Sequence, residues 1–129
     1  MAMLADTDMA ALAMPATRRQ SVAALARAVA SGSLDLGTGA DWNLARSVLA
    51  TVPGVGPWTI EIVAMRGLGD PDAFPPTDLG VRQAAAALGL PASPAALTRR
   101  AERWRPWRAY AVQYLWATSD HAINQLPAA

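Results

Sequence analysis

The sequence predicts an all-α fold, a bundle of helices around one core. Apolar residues recur at helical spacing along most of the chain, and Gly and Pro interrupt them where helices should end. No stretch reads as a convincing strand. With 129 residues, 53% of them hydrophobic, the chain suits a single domain over residues 1–129.

Composition excludes several kinds of site. The chain has no cysteine, so disulfides, a cysteine nucleophile and Cys-ligated zinc or iron–sulfur clusters are excluded, and a single histidine, His121, argues against a His-based metal site. The net charge is only +1, and all 11 basic residues are Arg, so any attraction to a polyanion must come from local Arg clusters and backbone amides. The sequence contains neither a long apolar run nor a signal peptide, which predicts a soluble cytoplasmic protein.

The first half of the chain divides into helices as follows. Thr7 is placed to cap a short helix through Leu12, and a longer helix is expected over 17–30, before a Gly/Ser/Asp-rich loop. Asp41 is a good N-cap for the next helix. Residues 58–66 are apolar almost all round, which predicts a helix buried in the middle of the bundle.

The second half begins with a proline-rich loop over 67–77. Asp78 then opens a helix that Gly89 closes, and Ser93 with Pro94 starts another toward Trp104. Pro106 is expected to start the last helix. Its core-facing stripe is predicted to be Trp107, Tyr110, Ala111, Tyr114 and Leu115.

The most informative stretch runs from Thr51 to Thr59, with Pro-Gly-Val-Gly-Pro at its centre. These residues cannot be helical, so they predict a tight hairpin at about 52–57 between two helices, a helix-hairpin-helix motif. Gly54 and Gly56 let a phosphate approach the backbone, and the helix that follows has free N–H groups at its positive end. The alternative is that the segment is only a tight turn.

A longer pattern surrounds the hairpin. Its segments are Val-Pro-Gly-Val-Gly-Pro-Trp-Thr (52–59), Val-Ala-Met-Arg (63–66), Gly-Asp-Pro-Asp-Ala-Phe-Pro (69–75), Thr-Asp (77–78), Ala-Glu-Arg-Trp-Arg-Pro-Trp-Arg (101–108), Tyr-Ala (110–111) and Leu-Trp (115–116). This pattern resembles the C-terminal part of bacterial DNA-3-methyladenine glycosylase II, of the helix-hairpin-helix DNA glycosylase superfamily. Pro15, Arg18 and the run over 32–37 extend the resemblance toward the N-terminus.

The resemblance implies a fold of the glycosylase type without the upstream β-rich domain and helices of the family. We therefore expect a C-terminal fragment or a short relative. A glycosylase domain cut in this way should leave an apolar face uncovered, which predicts self-association or an irregular N-terminal region. The resemblance also implies duplex DNA with alkylated bases as the partner, and association with the bacterial nucleoid.

Asp78 is the candidate catalytic residue. Breaking an N-glycosidic bond passes through an oxocarbenium-like sugar, which a nearby carboxylate stabilises. The resemblance assigns this role to Asp78. The simpler interpretation is that Thr-Asp before a helix is an ordinary N-cap. The two roles are compatible.

Trp58 and Trp116 are the candidate walls of the base pocket. In lyase members of the superfamily the position of Trp58 holds a lysine; this chain has no lysine, which implies a monofunctional glycosylase. An electron-rich ring attracts the positively charged alkylated purine. Trp116 lies about half a turn away from the expected stripe of the last helix. For Trp58 the alternative is an ordinary core tryptophan.

The backbone of Gly54, Val55, Gly56, Trp58 and Thr59 is the candidate DNA-binding segment. A monovalent cation on the carbonyls of Val52 and Gly54 is also implied, whereas no organic cofactor or divalent metal is expected. The arginines at 103, 105 and 108 are interpreted either as phosphate contacts or as salt-bridged surface residues.

Three functions follow from these observations. The first is hydrolytic excision of alkylated purines from DNA. The second is DNA binding by a helix-hairpin-helix module that has no activity on its own. A protein-interaction domain is the third.

Overall fold

The computed structural model describes residues 11–118, which fold as α-helices joined by turns and loops. The helices are α1 (Ala16–Ala30), α2 (Trp42–Leu49), α3 (Pro57–Arg66), α4 (Leu79–Ala87), α5 (Pro94–Ala101) and α6 (Arg108–Ala117), and a short 3₁₀ helix (Glu102–Trp104) follows α5. No strand occurs among these residues, so the all-α prediction is confirmed there. The helix expected to start at Thr7 lies largely outside the described residues.

Side-chain caps fix the starts of three helices. Asp41 Oδ1 accepts hydrogen bonds from the amides of Asn43 and Leu44 at 2.9 and 3.0 Å, at the start of α2. Asp78 caps α4, and Ser93 Oγ accepts from the Ala96 amide at 3.3 Å at the start of α5. These bonds satisfy amides that have no acceptor within the helix, which is why the cap positions were predictable.

The chain divides into two compact units, residues 1–68 and 69–129. In the first unit, the core contains Leu34, Ala45 and Leu49, with Leu25, Val29, Val48, Ile60 and Val63 packed around them. Leu34 reaches this core from the loop after α1. The core therefore fixes α2 and α3, the two helices that flank the hairpin.

The helix predicted over residues 58–66 is present as α3, but the prediction that it is buried in the middle of the bundle is wrong. Ala64 is buried, but the other side chains of α3 are partly or largely exposed. Within its unit α3 packs on α2, where Arg46 Nε lies 3.0 Å from Glu61 Oε1. A helix that packs on one neighbour buries only the face turned toward it.

In the second unit, α4 packs on α6. The buried side chains there include Val81, Ala84, Ala85, Leu97, Ala101, Val112 and Leu115. The helix α6 begins two residues later than predicted, at Arg108, and Pro106 lies before it.

The predicted core stripe of α6 is largely wrong. Trp107, Tyr110 and Tyr114 are 58%, 64% and 65% exposed, whereas the buried face carries Ala109, Val112, Leu115 and Trp116. Nearly every residue of α6 is apolar, so the sequence pattern is compatible with either of two helical faces packing in the core. On the buried face, the small Ala109 and Val112 allow close packing on the alanine-rich α4.

Candidate DNA-binding hairpin and active site

The hairpin (residues 52–57) is a compact turn closed by backbone hydrogen bonds. The Val52 amide donates to the Leu49 carbonyl and the Val55 amide donates to the Val52 carbonyl, both at 3.1 Å. Gly54 has a φ of +79°, in the left-handed region that glycine adopts without steric cost. Val52 is buried and Val55 packs against the core of the first unit.

Ser21 of α1 contacts the hairpin directly. Its Oγ donates to the Pro53 carbonyl at 2.6 Å. A Cβ placed on Gly54 would lie 2.5 Å from the same Oγ, much closer than non-bonded atoms approach each other. Gly54 is therefore required both for its φ and for the close approach of α1. Ser21 was not among the predicted site residues, because nothing local signals a contact 32 residues away.

The start of α3 presents the positive end of a helix dipole at the hairpin. Gly56 is the N-cap and makes no side-chain cap hydrogen bond, and Pro57 occupies the first turn. The amides of the first turn of a helix have no acceptor within that helix, and they lie at its positive dipole end. This arrangement favours an anion. Trp58, next in the chain, is 46% exposed and so is not a core tryptophan; Thr59 is half-buried.

Asp78 is buried, with 5% of its surface exposed. Its Oδ2 accepts hydrogen bonds from the Val81 amide at 2.8 Å and from Trp116 Nε1 at 3.1 Å. The expected N-cap role of Asp78 is thus confirmed. Two N–H donors on one oxygen, together with the N-terminus of α4, fix the orientation of the carboxylate and stabilise its negative charge.

Trp116 lies on the buried face of α6 and is 4% exposed. The structure brings Trp116 and Asp78 together, 38 residues apart in the sequence. An indole has one N–H donor, and burying it without a partner is unfavourable. The bond to Asp78 satisfies that donor, so Trp116 positions the carboxylate.

Asp72 binds two arginines, Arg105 just before α6 and Arg108 at its first residue. Arg108 approaches it with two parallel bonds, Nε to Oδ1 at 2.7 Å and Nη2 to Oδ2 at 2.9 Å, and Arg105 Nη1 lies 2.7 Å from Oδ2. Burial acts to raise the pKa of Asp72, but the hydrogen bond and charge of Arg108 and the charge of Arg105 outweigh it, so this pKa lies below its ordinary value. The interpretation of Arg105 and Arg108 as salt-bridged residues is confirmed. Arg103 is exposed.

This cluster anchors the loop that precedes Asp78. The Ala109 amide donates to the Pro71 carbonyl at 2.9 Å, and the Asp72 amide donates to Asp70 Oδ1 at 2.8 Å. The Arg108 guanidinium lies 6.0 Å from the centre of the Phe74 ring. The N-terminal end of α6 therefore holds the loop, and Trp116 near its C-terminal end holds Asp78.

Two further expectations concern metals and membranes. Among residues 11–118, no group of three or more His, Cys, Asp or Glu side chains is arranged to hold a metal ion. His121 lies outside the described residues. No helix in the described part of the chain is long and apolar enough to cross a membrane.

The sequence is similar to several DNA repair proteins, although no protein-family model matches it. A probable bifunctional transcriptional activator/DNA repair enzyme AlkA of Mycobacterium tuberculosis is 56% identical over 124 residues, which cover 96% of this chain and 25% of that protein. DNA-3-methyladenine glycosylase 2 of Escherichia coli is 38% identical over 108 residues, 84% of this chain and 37% of that protein. This chain thus spans well under half the length of these relatives.

Solved structures agree with the sequence comparison. The 3-methyladenine DNA glycosylase Mag1 of Schizosaccharomyces pombe, in complex with abasic DNA, superimposes with a TM-score of 0.77 at 26% identity, covering 92% of this chain and 62% of that one. A DNA-3-methyladenine glycosidase from Bacillus halodurans gives a TM-score of 0.69 at 25% identity, covering 86% of this chain and 54% of that one. Both neighbours are glycosylases, which confirms the predicted glycosylase-type fold.

Proposed function

We propose that this chain, which is homologous over most of its length to a segment of the DNA-3-methyladenine glycosylase II family, acts in DNA repair by hydrolysing the N-glycosidic bond of alkylated purines in duplex DNA. The observation that carries the proposal is the buried Asp78 carboxylate, held by the Val81 amide and the Trp116 indole. Binding to chromosomal DNA would associate the protein with the bacterial nucleoid.

The hairpin is proposed to hold the DNA backbone. Gly56 carries no side chain that would keep a phosphate away, and the missing Cβ of Gly54 lets the turn lie close to α1. The first turn of α3, which follows the hairpin, lies at the positive end of a helix. Contacts of this kind position a duplex without distinguishing bases. Gly54, Val55, Gly56, Trp58 and Thr59 form this segment, and the carbonyls of Val52 and Gly54 are the proposed cation ligands.

Asp78 is proposed to stabilise the sugar during bond cleavage. The bond from C1′ to the purine nitrogen breaks, the base leaves with the electron pair, and positive charge develops on the sugar. A fixed carboxylate stabilises this charge without having to reorganise. Water then adds to C1′ and loses a proton. The chain has no lysine side chain to attack C1′, so the reaction ends at the abasic site.

The base itself is proposed to be held by tryptophan. An alkylated purine is flipped out of the helix, and its positive charge is attracted to the face of an indole ring. The exposure of Trp58 supports this role. For Trp116 the hydrogen bond to Asp78 supports a positioning role first, and its role as a second wall of the pocket stays a prediction.

The test is release of free base from duplex DNA that contains 3-methyladenine or 7-methylguanine. The Asp78→Asn variant keeps an N-cap side chain but loses the negative charge, so we expect release to fall by at least about 100-fold with DNA binding retained. Asp41→Asn is the matched control, because Asp41 caps α2 in the same way. Equal activity of wild type and Asp78→Asn would refute the proposed chemistry.

A second candidate function is DNA binding without catalysis. The chain spans 25% and 37% of the length of the two relatives described above, so the part needed for turnover need not all lie within it. In that case neither wild type nor Asp78→Asn would release base, and both would bind DNA with a marked salt dependence.

Self-association is proposed for the exposed aromatic face of α6. Trp107 and Tyr110 pack edge to face, 5.7 Å apart, and Tyr114 lies one turn further along the same face. Apolar surface of this kind often marks an interface. Sedimentation should show dimers that Tyr110→Ser with Tyr114→Ser abolishes; a monomeric wild type at high concentration would contradict the proposal.

A further inference from the structure

Helix α1 concentrates positive charge that the chain as a whole lacks. Its 15 residues include Arg18, Arg19 and Arg27 and no acidic residue, whereas the net charge of the entire chain is only +1. The proposed function gives these arginines no role. A local excess of three charges on one helix is the kind of feature that binds a polyanion.

An open groove of about 530 Å³ runs along the exposed face of α1 and ends at the hairpin. Its walls are Ala16, Arg19, Gln20, Ala23, Ala24, Arg27 and Pro53. Apart from Pro53, these residues recur at helical spacing and so form one face of α1. The small alanine side chains leave space along this face, and the longer side chains of Arg19, Gln20 and Arg27 border that space.

The polar groups of the groove are suited to an anion. Arg19 Nη1 donates to the Met14 carbonyl at 2.9 Å, which holds its guanidinium in place. Because a carbonyl is neutral, the full positive charge of Arg19 remains. Arg27 lies about 12 Å further along the helix and is exposed, and the exposed amide of Gln20 lies between the two arginines.

The groove and the hairpin form one continuous surface. Pro53 belongs to both, and its carbonyl accepts the 2.6 Å hydrogen bond from Ser21 of α1. The tight approach of Ser21 to Gly54 keeps α1 against the turn. A DNA strand bound at the hairpin would therefore lie next to the basic groove along α1.

We propose that the groove along α1 binds the sugar–phosphate backbone of DNA next to the nucleotides held by the hairpin, with Arg27 as the main phosphate contact. This inference rests on the proposed function, in which the hairpin holds DNA. An open groove with cations on its edges and no acidic residue among its walls fits a chain of phosphates, to which arginine binds through several N–H donors.

The test compares the salt dependence of duplex DNA binding for wild type, Arg27→Gln and Arg99→Gln. Arg99 is the matched control, because it is also exposed on a helix but belongs to α5 in the second unit. Loss of one phosphate contact lowers the slope of log K against log salt by about 0.9. A fourfold rise in salt should therefore weaken wild type about 3.5-fold more than Arg27→Gln, whereas Arg99→Gln follows wild type.

The outcomes distinguish failure of the groove proposal from failure of the hairpin proposal. An unchanged slope in Arg27→Gln, or an equal change in both variants, would overturn the groove while leaving the hairpin proposal intact. Absence of any DNA binding by wild type would overturn both. Because Arg27 is exposed, its variant should keep the melting curve of wild type, which circular dichroism can verify before the titrations.

Discussion

Replacing Gly54 by alanine tests the closest contact in the first unit. The added methyl group meets two separate obstacles. Gly54 has a φ of +79°, and its new Cβ would lie 2.5 Å from Ser21 Oγ. Ser21 would have to move, and its hydrogen bond to the Pro53 carbonyl would be lost or distorted.

The two effects can be given magnitudes. A left-handed conformation destabilises alanine by about 1–2 kcal/mol relative to glycine. Loss of the Ser21 bond adds about 1 kcal/mol. We therefore expect Gly54→Ala to lower the free energy of unfolding by about 2–3 kcal/mol. Gly39→Ala provides the matched control, because Gly39 has a φ of +85° and no atom within 4 Å of its new Cβ. It should show the conformational effect alone.

Urea denaturation of four proteins separates the effects: wild type, Gly54→Ala, Ser21→Ala and the double variant. In the Ser21→Ala background the nearest side-chain atom to the new Cβ is the one at 3.8 Å, which is ordinary contact. Gly54→Ala should then cost about 1 kcal/mol less than it does alone. The proposed clash between Gly54→Ala and Ser21 is refuted if the effects of the two substitutions on the free energy of unfolding are additive. It is also refuted if Gly54→Ala lowers that free energy no more than Gly39→Ala does.

Three other predictions concern the second unit. The pKa of Asp72 is lowered in the folded protein. The ionised Asp72 therefore stabilises the fold above the unfolded pKa of about 3.9, and this stabilisation is lost as pH falls through the folded pKa. The difference in melting temperature between wild type and Asp72→Asn should shrink steadily below about pH 4. Trp116→Phe removes the donor to Asp78 but keeps a ring, and should lower the free energy of unfolding by about 1–3 kcal/mol in urea titrations and also slow base release; unchanged values for both would contradict the positioning role. Leu115 is buried and Tyr114 is exposed, so Leu115→Ala should lower the free energy of unfolding by about 2–5 kcal/mol and Tyr114→Ala by less than about 1 kcal/mol. Similar denaturation midpoints for the two variants would disprove the orientation of α6.

Much of the fold was predictable because its signals are local. Asp41, Asp78 and Ser93 each accept a hydrogen bond from an amide two or three residues later, so the start of each helix is visible in the sequence. The hairpin is equally local, since its glycines and prolines exclude a helix within a few residues. Such features do not depend on how the helices pack.

The orientation of α6 was not predictable in the same way. The segment contains apolar residues on every side, so helical periodicity does not choose between the face of Tyr110 and the face of Val112. Packing decides, because the face that carries Ala109 and Val112 fits against α4, whereas Tyr110 and Tyr114 stay exposed. The prediction placed Trp116 away from the core stripe, whereas Trp116 lies on the buried face; its burial and its bond to Asp78 follow from the fold.

The contacts that support the candidate site connect distant parts of the chain. Ser21 and Pro53 are 32 residues apart, and Asp72 meets Arg108 across 36 residues. A serine within an alanine-rich helix, or an aspartate in a loop, gives no indication of its partner. These contacts follow from the tertiary structure, and a single sequence does not encode them in any local pattern.

The double anchoring of Asp78 by α6 has a consequence for the order of folding during synthesis. The residues of the hairpin and of the Ser21 contact leave the ribosome before α6 does, and Trp116 follows Asp78 by 38 residues. A nascent chain that ends before α6 can complete the turn proposed to hold DNA, but it lacks both the indole donor and the arginine that anchors the preceding loop. In the emerging polypeptide, the proposed DNA-binding turn can therefore form before the proposed catalytic carboxylate is positioned.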